Sequence, residues 1–198
     1  MNENKFATAG WLAVAGAILV LPVLPGGIVL DIMFEKGVFS VSLSTMFLLF
    51  SVTQAALVIF AFYRFKAFLN EVLEFNKTDF LILAIVGLAI IMTSLGVITR
   101  ITTWAGASES MQFTFIALIF SVGIPLGILS VIFGIKLLEL KDSGQVLLRP
   151  FAYLHIVAGI LFATFIFAPV GMLVGAVADF LMGMMMLRKG PEVIPDFV

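Results

Sequence analysis

Long apolar runs separated by short polar breaks set the layout of the chain. The first run, about 7–24, carries Ala9, Ala13 and Ala17 at four-residue steps. On a helix that spacing is one small-residue face, suited to close packing. Trp11 near its start suits an interface anchor. Pro22 and Pro25-Gly26-Gly27 are expected to end or kink this helix. In 28–42, Asp31, Glu35 and Lys36 interrupt apolar residues, which reads as a short surface helix or a loop.

The second run, about 43–63, has Thr53-Gln54 at its centre. Beyond it, Phe65, Phe68, Leu69 and Val72 share one helical face, while Lys66, Asn70, Glu71 and Glu74 lie elsewhere. That pattern predicts a helix lying in the membrane interface. The third run, about 80–98, holds Thr93 and Ser94, has Thr78 or Asp79 as N-cap and ends at Arg100. The fourth, about 112–140, would reach about 43 Å against a hydrocarbon core of ~30 Å, so it must tilt or project. Pro125 can kink it.

Lys141-Asp142-Ser143-Gly144 stops that helix and Pro150 opens the next. From 151 to 187 the one charged residue is Asp179. A single helix over this stretch would be about 55 Å long, too long for one crossing. Two spans, about 151–168 and 170–187, with a turn at Ala168-Pro169, fit better at about 27 Å each. A re-entrant pair is the variant of this arrangement, and Gly190-Pro191 ends the last helix. Gly171, Gly175, Asp179 and Gly183 recur at steps of four, so three glycines and a carboxyl share a ridge where another helix can come close.

The composition fits this layout. Of 198 residues, 62% are hydrophobic and 12% charged, with a mean hydropathy of +1.22. A soluble globular chain has about 25% charged residues. The expected fold class is therefore all-α: a polytopic integral membrane helix bundle forming a single transmembrane domain over 1–198, with the lipid bilayer as its first partner. A net charge of −1 gives no electrostatic case for nucleic acid. The absence of cysteine removes disulfides, thiol catalysis and cysteine-held metals. The opening MNENKF is a poor signal-peptide start, so the first run is expected to be retained.

Charge also favours six spans over five. With six, Lys5, Arg64, Lys66, Lys77, Lys136, Lys141, Arg149, Arg188 and Lys189 fall on one side, against Lys36 and Arg100 on the other. With five, Arg188 and Lys189 change sides and the asymmetry weakens. The positive-inside rule then places both termini in the cytoplasm, in a bacterial inner membrane.

An internal repeat is also visible. Phe50-Ser51-Val52 recurs as Phe120-Ser121-Val122 and Lys66 as Lys136, at an offset of about 70 residues. Phe80, Leu83, Ile85, Val86 and Thr93 likewise recur as Phe151, Leu154, Ile156, Val157 and Thr164. The unit would be a helical hairpin used three times. Such a parallel hairpin repeat, with a small-residue-rich first helix, distantly resembles the HdeD-type bacterial membrane proteins. The likeness is one of layout, and no property is transferred with it.

Asp179 is the sharpest candidate for chemistry. A carboxylate at bilayer depth costs at least ~2.5–3.5 kcal/mol on insertion scales. It escapes that cost by carrying a proton or by meeting a donor, for which Gln54, Thr93, Ser94 and Thr164 lie at suitable depths. The functional reading is a substrate- or ion-binding site formed by Asp179, Gln54, Thr93 and Ser94. The structural reading is a neutral carboxyl bonded to a neighbouring helix, with Gly171, Gly175 and Gly183 as packing positions. Arg100 either snorkels to headgroups or forms an outer gate, with Glu109 or Asp31 as partner. His155, the one histidine, is expected at the interface, bonded to water, headgroup or helix, and cannot alone hold a haem or zinc. Met182, Met184, Met185 and Met186 point around their helix and suit adaptable packing.

No catalytic motif is present, and no cofactor or metal is expected. Two function classes follow. One is a small transporter or permeation protein with an intramembrane acidic site. The other is a non-catalytic subunit or scaffold, with a second copy or a membrane complex as partner. The first should surround Asp179 with a cavity or polar groups; the second should turn the glycine face outward.

Overall fold

The computed structural model describes residues 4–38, 40–140, 145–164 and 166–188. It contains six helices: α1 (Ala7–Glu35), α2 (Val41–Val72), α3 (Asp79–Trp104), α4 (Glu109–Leu138), α5 (Leu148–Ala163) and α6 (Ala168–Leu187). Among the described residues there is no strand, so the fold is an all-helical bundle. Consecutive helices are antiparallel neighbours, and α6 returns to pack on α1 and touch α2, closing the ring. α1, α3 and α5 begin at nearly equal intervals, at Ala7, Asp79 and Leu148, as a hairpin unit used three times requires.

Five of these helices are long and apolar enough to cross a membrane, and α5 is a shorter apolar helix of 16 residues. α5 spans about 24 Å, less than the ~30 Å core. The outer faces are apolar as well: Phe80, Phe113, Val146 and Ile166 are among many exposed large side chains. Water would not tolerate so continuous an apolar surface, whereas lipid matches it. This is a multi-pass membrane protein.

α1 does not end at the prolines. It runs through Pro22 and Pro25 to Glu35, taking in much of the stretch expected as a surface helix or loop. Neighbouring helices can re-satisfy the carbonyls that such prolines free. α5 ends at Ala163 and α6 begins at Ala168, so the break comes ahead of Ala168-Pro169, because Pro169 occupies the first turn of α6, where its missing N–H is no loss. The stop at 141–144, Lys189 and Gly190-Pro191 lie outside the described residues.

The expected interfacial helix after α2 is corrected by the structure. α2 continues unbroken to Val72, and Phe65, Phe68 and Leu69 are fully buried in protein. At 32 residues α2 is about 48 Å long, more than a ~30 Å hydrocarbon core, and its last turns pack as a soluble core would. There they meet Phe6, Ile82, Leu137, Leu148, Phe151, Met182, Met185 and Met186. Phe65 and Phe151 meet edge to face at 5.1 Å between centroids, and Phe6 and Phe68 at 5.5 Å. The methionines fill the remaining gaps, as their flexible thioethers allow. α2 turns into α3 through Glu74 at φ 51°, with the Phe75 N–H reaching back to the Leu69 carbonyl at 3.0 Å.

Ion pairs ring this packed end. Lys5 pairs with Glu71, and Lys66 with Asp79 at 3.2 Å. Lys136 and Lys77 both reach Glu139, at 2.7 and 3.7 Å. The hydrogen bond from Lys136 holds the exposed Glu139 carboxyl below the usual carboxylate range.

Close helix crossings hold the bundle elsewhere. A methyl on Gly127 of α4 would sit 2.6 Å from the Gly159 carbonyl oxygen of α5, and the converse distance is also 2.6 Å. Gly10 of α1 and Gly183 of α6 face each other in the same way, at 2.9 and 2.7 Å. Ala9, Ala13 and Ala17 are buried beside that crossing. Backbones in such contact gain dispersion energy that larger side chains would prevent.

Candidate functional site

A cavity of about 530 Å³ opens between α1, α2, α3 and α6. It is bounded by the second half of α1, the first half of α2, the last turns of α3 and the first half of α6, with Phe162 of α5 at its side. Its position follows from helix length. α5 and α6 form the shortest hairpin, so the far ends of α1, α2 and α3 run on past the end of α5.

Asp179, Gln54, Thr93 and Arg100 all line this cavity, with Asp31 at the same end as Arg100. Four of the six polar candidates read from sequence thus share one space, although α6 is far along the chain from α2 and α3. Thr164, which donates to the Leu161 carbonyl at 2.9 Å, does not line it. Ser94 is the other exception. It lines a second, lipid-facing groove of about 390 Å³ between α2 and α3. Thr93, Val52 and Ala55 belong to both spaces, so a single layer of side chains separates them.

Asp179 sits where the cavity meets the packed core. Ala176, three residues before it, also lines the cavity; Met182, three residues after it, is fully buried in the aromatic and methionine cluster. Among the described residues no hydrogen bond or ion pair reaches its carboxyl. Gln54, the expected partner, instead donates from Nε2 to the Gly16 carbonyl of α1 at 3.4 Å. Thr93 Oγ1 donates to Ala89 at 2.8 Å, and Ser94 Oγ to Ile90 at 2.9 Å. Both hydroxyls are thereby committed as donors to their own helix, leaving lone pairs rather than protons toward any neighbour.

At the mouth, Arg100 Nη1 lies 3.5 Å from Asp31 Oδ1, and the guanidinium stacks over the Phe47 ring at 5.3 Å. Gly27 makes room for it, since a methyl there would sit 2.9 Å from the Arg100 Nη2. The cavity therefore carries three ionisable groups, of which Asp31 and Arg100 pair with each other. Asp179 remains without a counter-charge.

The glycine ridge is divided in its use. Gly171 packs on Leu161 and Phe162 of α5, and Gly183 on Gly10 and Val14 of α1. Gly175 has no atom within 4 Å of where its methyl would be and borders the cavity instead.

His155 departs from expectation. Its ring lies among Phe62, Phe133 and Phe151, with centroids 5.6, 5.1 and 4.6 Å away, and its buried Nε2 has no hydrogen-bond partner among the described residues. It belongs to the packed end and not to a water-facing interface. The expectation took the ring's depth from α5 alone and left out Phe62 and Phe133, which α2 and α4 bring over it. No group of three or more metal-ligating side chains occurs among the described residues.

Comparisons with protein families, with curated proteins and with solved structures returned no match.

Proposed function

We propose that this protein is a small transporter or permeation protein that holds its solute at Asp179. The observation that carries the reading is the position of that carboxyl. Among the described residues it is unpaired, it borders a cavity open at one end, and the packed cluster of Phe65, Phe151 and Met182 closes the other end. A group at the boundary between an open and a sealed half is placed to exchange with either side when the seal parts. The cation-rich end bears the start of α1 and the end of α6 and is assigned to the cytoplasm of a bacterial inner membrane; the cavity then opens away from it. The alternative, a scaffold subunit or a homo-oligomer packed through the glycine face, needs that face outward. Gly171 and Gly183 are used within the chain, which favours transport.

The test is flux. Proteoliposomes holding the purified chain should dissipate an imposed proton or monovalent-cation gradient faster than empty vesicles. Equal rates for every cation tried would overturn the reading.

The Arg100–Asp31 pair serves as the outer gate. Asp31 is 63% exposed and Arg100 29%, so the pair is worth only about 0–1 kcal/mol of stability. Its weight is in the cavity's charge. Arg100→Gln leaves two unpaired carboxyls and should raise cation flux by up to about tenfold. Asp31→Asn leaves Arg100 unpaired and should lower it. Rates in both variants equal to wild type would remove the gate.

A further inference from the structure

We infer that the solute is a lipophilic organic monocation, and that it reaches Asp179 sideways from the bilayer between α2 and α3. The inference rests on the transport reading and adds the chemical class and the route.

Charge sets the first limit. With Asp31 and Arg100 compensating each other, the cavity offers one carboxyl and so matches a single positive charge. Coordination sets the second. A bare metal cation needs about six oxygen ligands in place of its water. Apart from the Arg100–Asp31 pair, the polar side chains lining the cavity are Ser51, Gln54, Thr93 and Asp179, whose oxygens are fewer than that number and are spread over three helices. No cluster of carboxylates or histidines gathers elsewhere among the described residues. One carboxylate cannot strip a hydrated ion, but it can pair with a cation whose charge is spread over an apolar body.

The remaining wall suits such a body. Leu24, Phe47, Met92, Phe162 and Met172 surround the cavity, whose volume of about 530 Å³ falls in the usual range for organic ligands. Aromatic faces add attraction for a cation once it is desolvated. The route follows from the shared layer. Val52, Ala55 and Thr93 line both the cavity and the lipid-facing groove, so movement of small side chains joins the two. A solute that partitions into lipid is already concentrated at that groove.

Tetraphenylphosphonium is the probe. Purified protein in nanodiscs should bind it saturably above the level of protein-free discs. Asp179→Asn should weaken binding by about tenfold or more, while Asp179→Glu keeps it. Excess sodium or tetramethylammonium should not compete. Ala55→Phe, which fills the layer between groove and cavity, should slow binding from the bilayer. Saturable binding that Asp179→Asn leaves unchanged overturns the inference, as does competition by sodium. If proteoliposomes carry a proton or alkali-ion flux yet bind no tetraphenylphosphonium, the inference fails and the transport reading stands. If neither flux nor binding occurs, both fail.

Discussion

Gly127→Ala and Gly159→Ala should each lower the melting temperature of the purified protein, while Gly87→Ala should not. The expectation follows from what an added methyl meets. At Gly127 it would lie 2.6 Å from the Gly159 carbonyl oxygen and 2.8 Å from the Ala163 nitrogen, both backbone atoms. Backbone cannot swing aside as the end of a side chain can, so α4 and α5 must separate. Overpacking of this kind costs about 1–3 kcal/mol. At about 2–4 °C per kcal/mol for a chain of this size, the loss is several degrees. Gly10→Ala and Gly183→Ala act alike at the α1–α6 crossing. Gly87 has no atom within 4 Å of the new methyl, and alanine is the better helix former, so that variant should be neutral or slightly stabilising. Equal melting temperatures for Gly127→Ala and Gly87→Ala would show that the crossing is looser than the distances say.

The helices were legible in the sequence because lipid demands long apolar runs, and 198 residues leave little between them. Their ends were less so. Pro22 and Pro25 stop a helix in water, but here α1 continues through them among its neighbours. The face of Phe65, Phe68 and Leu69 has the same periodicity whether it meets headgroups or protein. Only the partners that the fold brings to that face, Phe151 and Met182 among them, decide for protein. Glu74, not a glycine, takes the left-handed position that ends α2, so the turn had no sequence signal of the ordinary kind.

The site was legible in its parts. A carboxyl in a span, a glutamine mid-span and an arginine at a span's end each violate the membrane's preference, and all three line one cavity. Their pairing was not legible. Depth along each helix follows from counting residues, but rotation about the axis does not. Rotation gives the Gln54 amide to Gly16 and turns Ser94 to the groove while its neighbour Thr93 borders the cavity. The cavity itself had no local signature. It results from a difference in length between hairpins, of which the 16-residue α5 is the clearest sign.

Asp179→Asn should abolish flux in proteoliposomes and leave the melting temperature unchanged or raised. The substitution is nearly isosteric and keeps two hydrogen-bonding atoms, but it can neither carry a charge nor exchange a proton. If the solute is held by that carboxyl, flux falls to the level of empty vesicles. The effect on stability has a different origin. Among the described residues nothing bonds to the Asp179 carboxyl, so its removal forfeits no contact within the chain. It also removes an ionisable group whose burial costs about 2.5–3.5 kcal/mol at bilayer depth. A carboxyl kept for packing gives the opposite pattern: the melting temperature drops as a hydrogen bond is lost, and flux, if any, persists. Asp179→Glu separates charge from shape, because it keeps the acid and reaches one bond further toward the cavity. Partial flux in Asp179→Glu with none in Asp179→Asn assigns the requirement to the charge; a drop in melting temperature in both, with flux retained, assigns Asp179 to the architecture.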